Sequence, residues 1–355
     1  MQKRVLVAMS GGVDSSVAAA LLKEAGFEVI GVTMCFNISG LNRRRLGCCG
    51  IQGIEDARRV AQRLGIRHYV LNFAKTLEEK IIKDFCDEYL NGRTPNPCVR
   101  CNQFLKFGTL LKKALSLGCG YLATGHYARI VNNKGKYFLK KAFDKNKDQS
   151  YFLYRLSQRQ LKHILMPLGE LSKSKVRELA RKFSLPVAEK PGSQEICFVP
   201  EDNYHELLRL RYRKKIKPGD IVDKAGDVLG RHRGICFYTI GQRQGLGVAK
   251  GYPLYVTRID AKKNRLVVGE KGDVLNKEFI IKSAHFILKP VNKSVVLKAK
   301  IRYNHKEALA QLECLERNGV RVTFKRPQFA ITPGQSAVFY DKDTVIGGGI
   351  IEKDC

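Results

Sequence analysis

The chain has 355 residues, which is long for one domain and enough for two or three, and 44% of its residues are hydrophobic. Lys and Arg number 64 against 33 Asp and Glu, so the formal net charge is +31 and predicts a polyanionic partner such as a nucleic acid. Because no stretch is apolar for long enough to span a membrane and no cleavage site precedes the first strand pattern, we expect a cytoplasmic protein without a membrane partner.

The first segment with a chemical signature runs from Arg4 to Gly26. An apolar run from Val5 to Met9 predicts a strand buried on both faces, and a helical period follows until Gly26. Between them lies SGGVDSS, Ser10 to Ser16, which we name the SGG loop. Glycines and hydroxyls at a helix N-terminus favour phosphate binding. An ordinary glycine turn is the alternative, but five fixed positions in this context favour the phosphate site.

Strand and helix patterns then alternate along the chain. The predicted strands are Phe27 to Met34, His68 to Phe73 and Tyr121 to Thr124, and the predicted helices are Ile54 to Leu64, Leu77 to Leu90 and Phe104 to Leu117. Such alternation predicts an α/β fold with a doubly wound parallel sheet. Ligands bind beyond the carboxyl ends of such strands, which is where the SGG loop, Met34 and Thr124 to Tyr127 fall.

Eleven cysteines, an odd number, argue against a disulfide framework and for thiol, metal or redox chemistry at a few positions. Cys98 and Cys101 form a Cys-x-x-Cys pair in a segment, Gly92 to Asn102, that two prolines predict to be a loop. Cys197 lies in a second turn-like segment. Half of a structural zinc site is the alternative, but no second Cys-x-x-Cys or His pair completes four ligands. The adjacent pair Cys48-Cys49 is predicted to line a loop.

The pattern changes after Lys190. Asn203 to Arg213 predicts a short basic helix, a glycine-rich segment of short strands follows to Gly269, and alternating runs from Phe279 onward predict a small β-barrel. We therefore expect three domains: 1–200, 201–274 and 275–355. The net charge is spread over basic runs at Arg43 to Arg45, Arg209 to Lys217 and Arg231 to Arg233.

Two levels of family resemblance follow from these motifs. The SGG loop resembles the pyrophosphatase loop of the N-type ATP pyrophosphatases, and no Gly-Lys-Ser/Thr follows it as in a Walker loop. The whole chain is similar to the bacterial tRNA-uridine 2-sulfurtransferases, the 2-thiouridylases that act on the wobble uridine. The shared motifs, in order, are SGGVDSS, GRTPNPCVRCN, TGHYAR, KDQSYFLY, SQEICF, GQRQGLG and TPGQSAVFY. The resemblance implies an ATP pyrophosphatase catalytic domain, a mostly-β central domain that contacts tRNA, and a C-terminal β-barrel.

The resemblance also implies roles for single residues. ATP would contact Ala8, Met9, Ser10, Gly11, Gly12, Val13, Asp14, Ser15, Met34 and Gly125, with Ala8 at a position where the family often has glycine. Asp14 and the serines would hold pyrophosphate and its Mg²⁺. Cys101 would be the nucleophile and Cys197 the carrier of sulfur as a persulfide. The target base would contact Asn96, Pro97 and Cys98, and the tRNA would contact His126, Lys147, Asp148, Gln149, Arg302, Tyr303 and Gln335.

The implied chemistry is adenylation of the uracil 2-oxygen by ATP, followed by replacement of AMP with sulfur. The anticodon loop of tRNA would present the base, and a cysteine desulfurase or sulfur-relay protein would supply the sulfur. Many family members have Asp where this chain has Cys98. The substitution leaves open a [4Fe-4S] cluster on Cys98, Cys101 and Cys197 as the alternative to the persulfide.

Two further functions stay open from the sequence alone. An ATP pyrophosphatase acting on a small molecule would keep the SGG loop but has no use for Cys101 and Cys197 or for a net charge of +31. A non-catalytic RNA-binding protein would keep the charge but has no use for the loop.

Overall fold

The computed structural model describes residues 3–36, 50–192, 196–199, 203–288 and 293–352. The basic run at Arg43 to Arg45 and the pair Cys48-Cys49 lie outside the described residues.

Strands and helices alternate in the first part of the chain. In chain order, residues 3–203 form β1 (Arg4–Ala8), α1 (Val13–Glu24), β2 (Glu28–Cys35), α2 (Ile51–Leu64), β3 (Arg67–Asn72), α3 (Ala74–Leu77), a π-helical turn (Glu78–Ile82), α4 (Lys83–Leu90), α5 (Pro97–Arg100), a π-helix (Cys101–Leu110), α6 (Leu111–Ser116), β4 (Tyr121–Ala123), β5 (Ala128–Asn133), β6 (Lys136–Lys141), a 3₁₀ turn (Ser150–Leu153), α7 (Gln158–Leu161), β7 (Ile164–Leu165) and α8 (Lys173–Lys182).

Strands predominate in the second part. Residues 204–352 form α9 (Tyr204–Tyr212), β8 (Gly219–Val222), β9 (Val228–His232), β10 (Tyr255–Asp260), β11 (Arg265–Gly269), β12 (Leu275–Phe286), β13 (Ser294–Lys300), β14 (Ala308–Cys314), β15 (Val320–Phe329), β16 (Ser336–Asp341) and β17 (Thr344–Ile351), with 3₁₀ turns at Arg213–Lys215, Ile235–Phe237, Lys271–Val274 and Glu316–Asn318.

These elements belong to two compact units that do not follow the chain order. The first unit consists of Met1–Ile81, Pro97–Asn203 and Asp343–Val345, and the second of Ile82–Asn96, Tyr204–Lys342 and Ile346–Cys355. A short segment in the first third of the chain, which includes α4, therefore belongs to the second unit.

The first unit is built on a parallel sheet with the strand order β3-β2-β1-β4-β7. Its central strand β1 is apolar because both faces are covered: Val5 and Val7 pack with residues of α1, α2 and α8, and Leu6 on the opposite face is also fully buried. The prediction of a parallel α/β sheet is confirmed, and the predicted strand bounds are within one residue of the observed ones. The carboxyl ends of β1, β2 and β4 lie side by side, as their pairing shows.

The segment around Cys98 differs from its prediction. Two prolines predicted a loop as far as Asn102, but Pro97 is the first residue of α5, and the helix continues without a break from Cys101 as a π-helix. Proline is well tolerated in the first turn of a helix, because the amide it lacks would have no partner there. A Cβ on Gly108 would lie 2.7 Å from the Gln103 carbonyl oxygen, so the wide helical turn depends on glycine.

The second unit holds a small four-stranded sheet and a barrel. The sheet has the order β10-β11-β8-β9, and the barrel strands have the order β12-β15-β14-β13-β16-β17, with β12 pairing back onto β17 to close it. In the part of the chain that the structure describes, the barrel has six strands. Its interior is filled by alternating side chains such as Phe279, Phe324 and Phe339. The predictions of a mostly-β central region and a C-terminal β-barrel are confirmed.

The barrel core predicts the effect of a large-to-small substitution. Phe324 on β15 is fully buried and its ring lies 5.9 Å from that of Phe279, so Phe324→Ala should destabilise the barrel by about 3–5 kcal/mol. Val296 on β13 is 64% exposed, and Val296→Ala should change stability by less than about 0.5 kcal/mol. Thermal unfolding, together with hydrogen exchange of the β14 and β15 amides, measures both. Equal effects of the two substitutions would contradict this assignment of the core.

Candidate functional site

The SGG loop is closed by its own hydroxyl groups. The Ser10 amide donates to Ser15 Oγ at 3.1 Å, and the Ser15 and Ser16 hydroxyls donate to the Gly12 carbonyl at 3.1 and 2.9 Å. Gly12 precedes α1 in an extended conformation and offers no side chain to cap it. A helix N-terminus without a side-chain cap is a favourable position for an anion, because its first amides and the helix dipole attract negative charge.

Two glycines fix the position of the SGG loop. Gly11 has a φ of +72°, and a Cβ there would lie 2.2 Å from the Gly53 carbonyl oxygen at the start of α2. Gly125 follows β4, and a Cβ there would lie 2.6 Å from the Ser15 amide nitrogen. Neither position tolerates a side chain, because in both cases the neighbouring atoms are backbone. The loop is thus held by close backbone packing on two sides.

Asp14 at the start of α1 carries the negative charge of the SGG loop. Its Oδ1 accepts hydrogen bonds from the Tyr127 hydroxyl at 2.7 Å and from Lys173 Nζ at 2.5 Å. Burial, and then the negative charge of Asp14, raise the pKa of Tyr127, which therefore stays protonated and acts as a donor. Lys173 is the first residue of α8, and its ammonium lies 5.8 Å from the centroid of the Tyr127 ring.

Lys173 was not among the residues predicted from the sequence, and Tyr127 was predicted only as part of Thr124 to Tyr127 at the ligand end of the fourth strand. Tyr127 lies within the TGHYAR motif, so its position was singled out but not its contact with Asp14. Lys173 follows the N-cap residue Ser172, whose Oγ accepts the Lys175 amide. A lysine in the first turn of a helix is opposed by the helix dipole, but Lys175 lies in the same turn. The sequence therefore does not mark Lys173 as the partner of Asp14.

A cavity of about 320 Å³ opens beyond the carboxyl ends of β1, β2 and β4. This volume lies within the usual range for a pocket that binds a small molecule. The predicted site residues that line it are Ala8, Met9, Ser10, Gly12, Val13, Asp14, Ser15, Met34, Pro97, Cys98, Cys101, Gly125, His126, Gln149 and Cys197. The SGG loop and all three cysteines singled out from the sequence therefore share one cavity. Gly11 is not among the lining residues and packs instead against α2.

The three cysteines reach the cavity from two segments. Cys98 lies on α5 and is exposed, whereas Cys101, three residues later on the continuing helix, and Cys197 are half-buried. Residues three apart on a helix lie on the same side of it, so one helical face presents both thiols of the Cys-x-x-Cys pair. None of the three is joined in a disulfide.

The side chains around the cavity also decide whether a metal ion could bind there. Within the described ranges, no three His, Cys, Asp or Glu side chains come together in an arrangement that could hold a metal ion. Cys98, Cys101 and Cys197 are all described, and they are not grouped as the ligands of a single metal ion. The ligands of a [4Fe-4S] cluster bind different irons and need not converge on one point, so the cluster stays a prediction. A Mg²⁺ ion that is bound mainly through substrate phosphates requires only one or two carboxylates, and Asp14 on the cavity wall meets that requirement.

His126 is buried in the cavity wall as a neutral imidazole. Its Nδ1 lies 2.7 Å from Thr124 Oγ1, and its Nε2 lies 3.4 Å from Lys106 Nζ. Burial, and then the positive charge of Lys106, hold the pKa of His126 well below its usual value. Because an ammonium only donates, Nε2 accepts the Lys106 hydrogen bond and the proton stays on Nδ1, facing Thr124.

The residues of the KDQSYFLY motif near Tyr127 are engaged mainly within the protein. Asp148 is buried, and its carboxylate accepts the Ala142 amide at 3.0 Å and the Ser150 hydroxyl at 2.8 Å. The Gln149 side-chain oxygen accepts the Tyr127 amide at 3.0 Å. The Lys147 amide donates to the Asp144 carbonyl, and its side chain is half-buried. Gln149 therefore stabilises the segment that carries Tyr127, and Asp148 joins its own loop to Ala142.

Arg302 and Gln335 in the second unit also hold the backbone. Arg302 Nη2 donates to the carbonyls of Ile240 and Ala330 at 3.1 and 3.0 Å. The Gln335 side chain donates to the carbonyls of Thr94 and Pro95, both at 3.2 Å. Tyr303 lies beneath the Lys300 ammonium, which is 5.4 Å from its ring centroid.

The residues just before Asn96 are fixed by several contacts inside the second unit. Arg93 donates to both carboxylate oxygens of Glu352, at 3.0 and 3.1 Å, and its Nε donates to Glu88 at 2.8 Å. The Thr94 amide donates to the Pro333 carbonyl at 2.9 Å. Asn96 belongs to this unit, whereas Pro97 and Cys98 belong to the first.

A basic groove lies at the end of α9 in the second unit. We name it the arginine groove; it has a volume of about 490 Å³ and is lined by Glu206, Arg209, Leu210, Arg213, Ile216, Arg233 and Phe237. The Arg209 guanidinium lies 5.0 Å from the centroid of the Phe237 ring, a cation–π contact. The groove draws together two of the basic runs noted in the sequence, Arg209 to Lys217 and Arg231 to Arg233.

Among the described segments, no helix is both long and apolar enough to cross a membrane.

Comparison with known proteins covers nearly the whole chain. Residues 3–201 match the family described as tRNA methyl transferase HUP domain, residues 208–270 the tRNA methyl transferase PRC-barrel domain, and residues 276–351 the aminomethyltransferase beta-barrel domain. Among solved structures, the U34-tRNA thiolase NcsA from Methanococcus maripaludis, solved with its [4Fe-4S] cluster, is 21% identical, with a TM-score of 0.34 over 54% of this chain and 60% of that one.

Full-length relatives are much more similar. The tRNA-specific 2-thiouridylase MnmA of Acetivibrio thermocellus is 52% identical, and the alignment covers 99% of each chain. The MnmA of Carboxydothermus hydrogenoformans is 52% identical over 99% of this chain and 98% of its own, and that of Clostridium acetobutylicum is 50% identical over 99% of this chain and 100% of its own. With identity at this level from one end of the alignment to the other, the chain belongs to the tRNA-specific 2-thiouridylase family.

Proposed function

We propose that this protein uses ATP to convert the wobble uridine of tRNA to 2-thiouridine, releasing AMP and pyrophosphate. The observation that carries the proposal is the single cavity onto which both the SGG loop and the cysteines Cys101 and Cys197 open. A pyrophosphate cradle and two thiols in one cavity suit a reaction that activates an oxygen and then replaces it with sulfur. A small-molecule ATP pyrophosphatase has no need of the thiols, and an RNA-binding protein without activity has no need of the loop.

Adenylation is the first step of the proposed reaction. The uracil 2-oxygen attacks the α-phosphorus of ATP as the N3 proton is lost, and pyrophosphate leaves. ATP would lie against residues 8–15, Met34 and Gly125, with its phosphates at the N-terminus of α1 and beside the Lys173 ammonium. Mg²⁺ bound at Asp14 together with these phosphates would neutralise their charge. Because Lys173 and Tyr127 hold Oδ1 of Asp14, they orient its carboxylate in the cavity.

Sulfur transfer is the second step. The terminal sulfur of a Cys197 persulfide attacks C2 of the adenylated base, and AMP leaves with the former 2-oxygen. The Cys101 thiolate then breaks the S–S bond, the 2-thiocarbonyl forms as N3 regains a proton, and a Cys101–Cys197 disulfide remains for a dithiol reductant. Alternatively, Cys101 attacks the persulfide first and releases hydrosulfide as the nucleophile. Each turnover needs one sulfur atom from a donor such as a cysteine desulfurase or a sulfur-relay protein.

A [4Fe-4S] cluster held by Cys98, Cys101 and Cys197 stays the alternative to the persulfide. We derive no step through it, because the three thiols are not grouped as metal ligands in the described part of the chain. In the persulfide version Cys98 contacts the target base together with Asn96 and Pro97 and does not carry the transferred sulfur atom.

Binding of tRNA is assigned to a positively charged surface and to the residues that the family motifs mark. The formal net charge of +31 and the arginine groove favour contact with RNA phosphates. We also assign tRNA contacts to His126, Lys147, Asp148, Gln149, Arg302, Tyr303 and Gln335. Since several of these side chains hold the backbone of their own unit, we expect them to fix the segments that the tRNA contacts. We place the three domains at 1–200, 201–274 and 275–355, and the protein in the cytoplasm with its tRNA substrate.

A glycine substitution tests the ATP site. In Gly125→Ala the added Cβ would lie 2.6 Å from the Ser15 amide nitrogen, so the SGG loop must shift. We expect tRNA-dependent pyrophosphate release to fall about 100-fold or more, equivalent to roughly 2.7 kcal/mol in the barrier. Gly120→Ala, where the nearest atom would be 3.9 Å away, is the matched control and should retain activity. Wild-type activity of Gly125→Ala would show that ATP does not bind at the end of β4.

Cysteine substitutions test the sulfur step. Cys101→Ser and Cys197→Ser should abolish 2-thiouridine formation while pyrophosphate release continues, since adenylation requires no thiol. Cys98→Asp should keep thiolation, because it restores the more common family residue and leaves both reacting thiols in place. Cys314→Ser, at an exposed cysteine of the second unit, is the control.

The measurement is 2-thiouridine by mass spectrometry and iron content after anaerobic purification. Loss of both iron and activity in Cys98→Asp would contradict the persulfide route and support the cluster.

Salt dependence tests the tRNA surface. If Arg213 and Arg233 of the arginine groove contact phosphates, replacing each with Gln should lower tRNA affinity and reduce the slope of log affinity against log salt by about one per contact. Arg209 is left unchanged because it packs on Phe237. Lys262→Gln, at an exposed residue outside the groove, is the control. If the variant with both Arg213→Gln and Arg233→Gln has the wild-type slope, the arginine groove does not bind RNA.

A further inference from the structure

A buried carboxylate lies behind the SGG loop, on the side away from the cavity. Asp56 of α2 is 5% exposed and is not among the residues that line the cavity. Its Oδ2 accepts Lys190 Nζ at 2.6 Å, and its Oδ1 accepts Gln52 Nε2 at 3.1 Å and the Arg59 guanidinium. Although burial acts to raise the pKa of Asp56, the hydrogen bonds and charges of these partners, Lys190 first, lower it overall. Asp56 is therefore a permanent negative charge.

Lys190 connects this carboxylate to the SGG loop. Its ammonium donates a second hydrogen bond, at 3.1 Å, to the carbonyl oxygen of Gly11. Gly11 is the residue with positive φ whose Cα packs against the start of α2. Helix α2 thus holds Gly11 twice, through the backbone of Gly53 and through Asp56 by way of Lys190.

Lys190 also begins the segment that leads to Cys197. The next two residues, Pro191 and Gly192, line the cavity, as do Ile196 and Cys197. The backbone at Lys190 is fixed by Arg177 of α8, which donates to the carbonyls of Ala188 at 2.9 Å and Lys190 at 3.3 Å. One ammonium therefore joins the turn of the SGG loop to the origin of the cysteine segment.

We propose that the Lys190–Asp56 ion pair is a positioning element that couples the phosphate site to the Cys197 segment. The pair contacts neither the cavity nor the reacting atoms and acts through Gly11 and through Pro191 and Gly192, which follow Lys190 on the cavity wall. The proposal rests on the proposed function, because it assumes that the SGG loop binds ATP and that Cys197 carries sulfur. Without the pair, the Gly11 carbonyl loses its cationic partner, and the chain at Lys190, from which Pro191 and Gly192 reach the cavity wall, loses its link to α2.

The test separates positioning from simple stability. Lys190→Met removes the ammonium and leaves a buried carboxylate without its main partner, so it will lower the thermal midpoint as well as function. Asp56→Asn combined with Lys190→Met removes both charges and should recover most of the stability, yet it still lacks the bond to Gly11. Lys182→Met is the matched control, since Lys182 forms an exposed ion pair with Glu24 at 3.8 Å in the same unit.

Two readouts do not depend on tRNA thiolation. One is the Kd of a non-hydrolysable ATP analogue, and the other is the rate at which iodoacetamide alkylates Cys197, measured by mass spectrometry of its peptide. In the double variant we expect the analogue to bind about tenfold or more weakly and the alkylation rate to change several-fold, while the thermal midpoint stays near that of the wild type. Lys182→Met should leave both readouts unchanged.

The outcomes distinguish this proposal from the proposed function. If both readouts keep their wild-type values in the double variant, the ion pair has only a structural role. If only one of them changes, the pair does not couple the phosphate site to the Cys197 segment. If the wild-type protein forms no 2-thiouridine under any condition, the proposed function fails, whereas the two readouts still decide whether Lys190 and Asp56 position the loop and the cysteine segment.

Discussion

The first unit depends on backbone packing around the SGG loop. At Gly11 and at Gly125 the loop meets α2 and the end of β4 at distances that leave no room for a Cβ. These contacts are between backbone atoms, and no flexible side chain can move to relieve them. The positions of α2 and the end of β4 therefore determine the position of the start of α1. Thr33 reinforces the arrangement from β2, because its hydroxyl donates to the Met9 carbonyl at 2.8 Å. The N-terminus of α1 is therefore fixed at the cavity by contacts within the protein.

Charge is arranged differently near the cavity and over the rest of the chain. The chain as a whole carries a formal net charge of +31, yet Asp14 and Asp56 next to the SGG loop are each paired with a lysine. These pairs join segments distant in sequence, with α8 supplying Lys173 and the segment after it supplying Lys190. Being partly or largely buried, they are screened by salt less than exposed pairs are. Ionic strength should thus affect RNA binding more than the shape of the site.

The sequence predicted the elements whose signal is local. Buried strands such as β1 are short apolar runs, and α2 ends at Gly65 in the left-handed conformation that glycine favours. The Cys98 segment was wrongly predicted as a loop because two prolines usually indicate one. A helix accepts proline in its first turn, but the sequence alone does not show where that turn lies. Lys173 and Lys190 were missed for a different reason: each contacts a carboxylate more than 130 residues earlier in the chain. No local pattern encodes such a pair, and only the fold brings it together.

The pairing of Arg93 with Glu352 also bears on how the chain folds as it is synthesised. Residues are added from the N-terminus, and domains generally fold as units when their last segment emerges. Arg93 precedes its main partner by 259 positions, and the Thr94 amide bonds to Pro333. The segment Ile82–Asn96 therefore cannot complete the contacts of its unit until the ribosome has made residue 352. Until then the exposed segment is open to chaperones and proteases, and slow translation of the barrel would prolong that exposure.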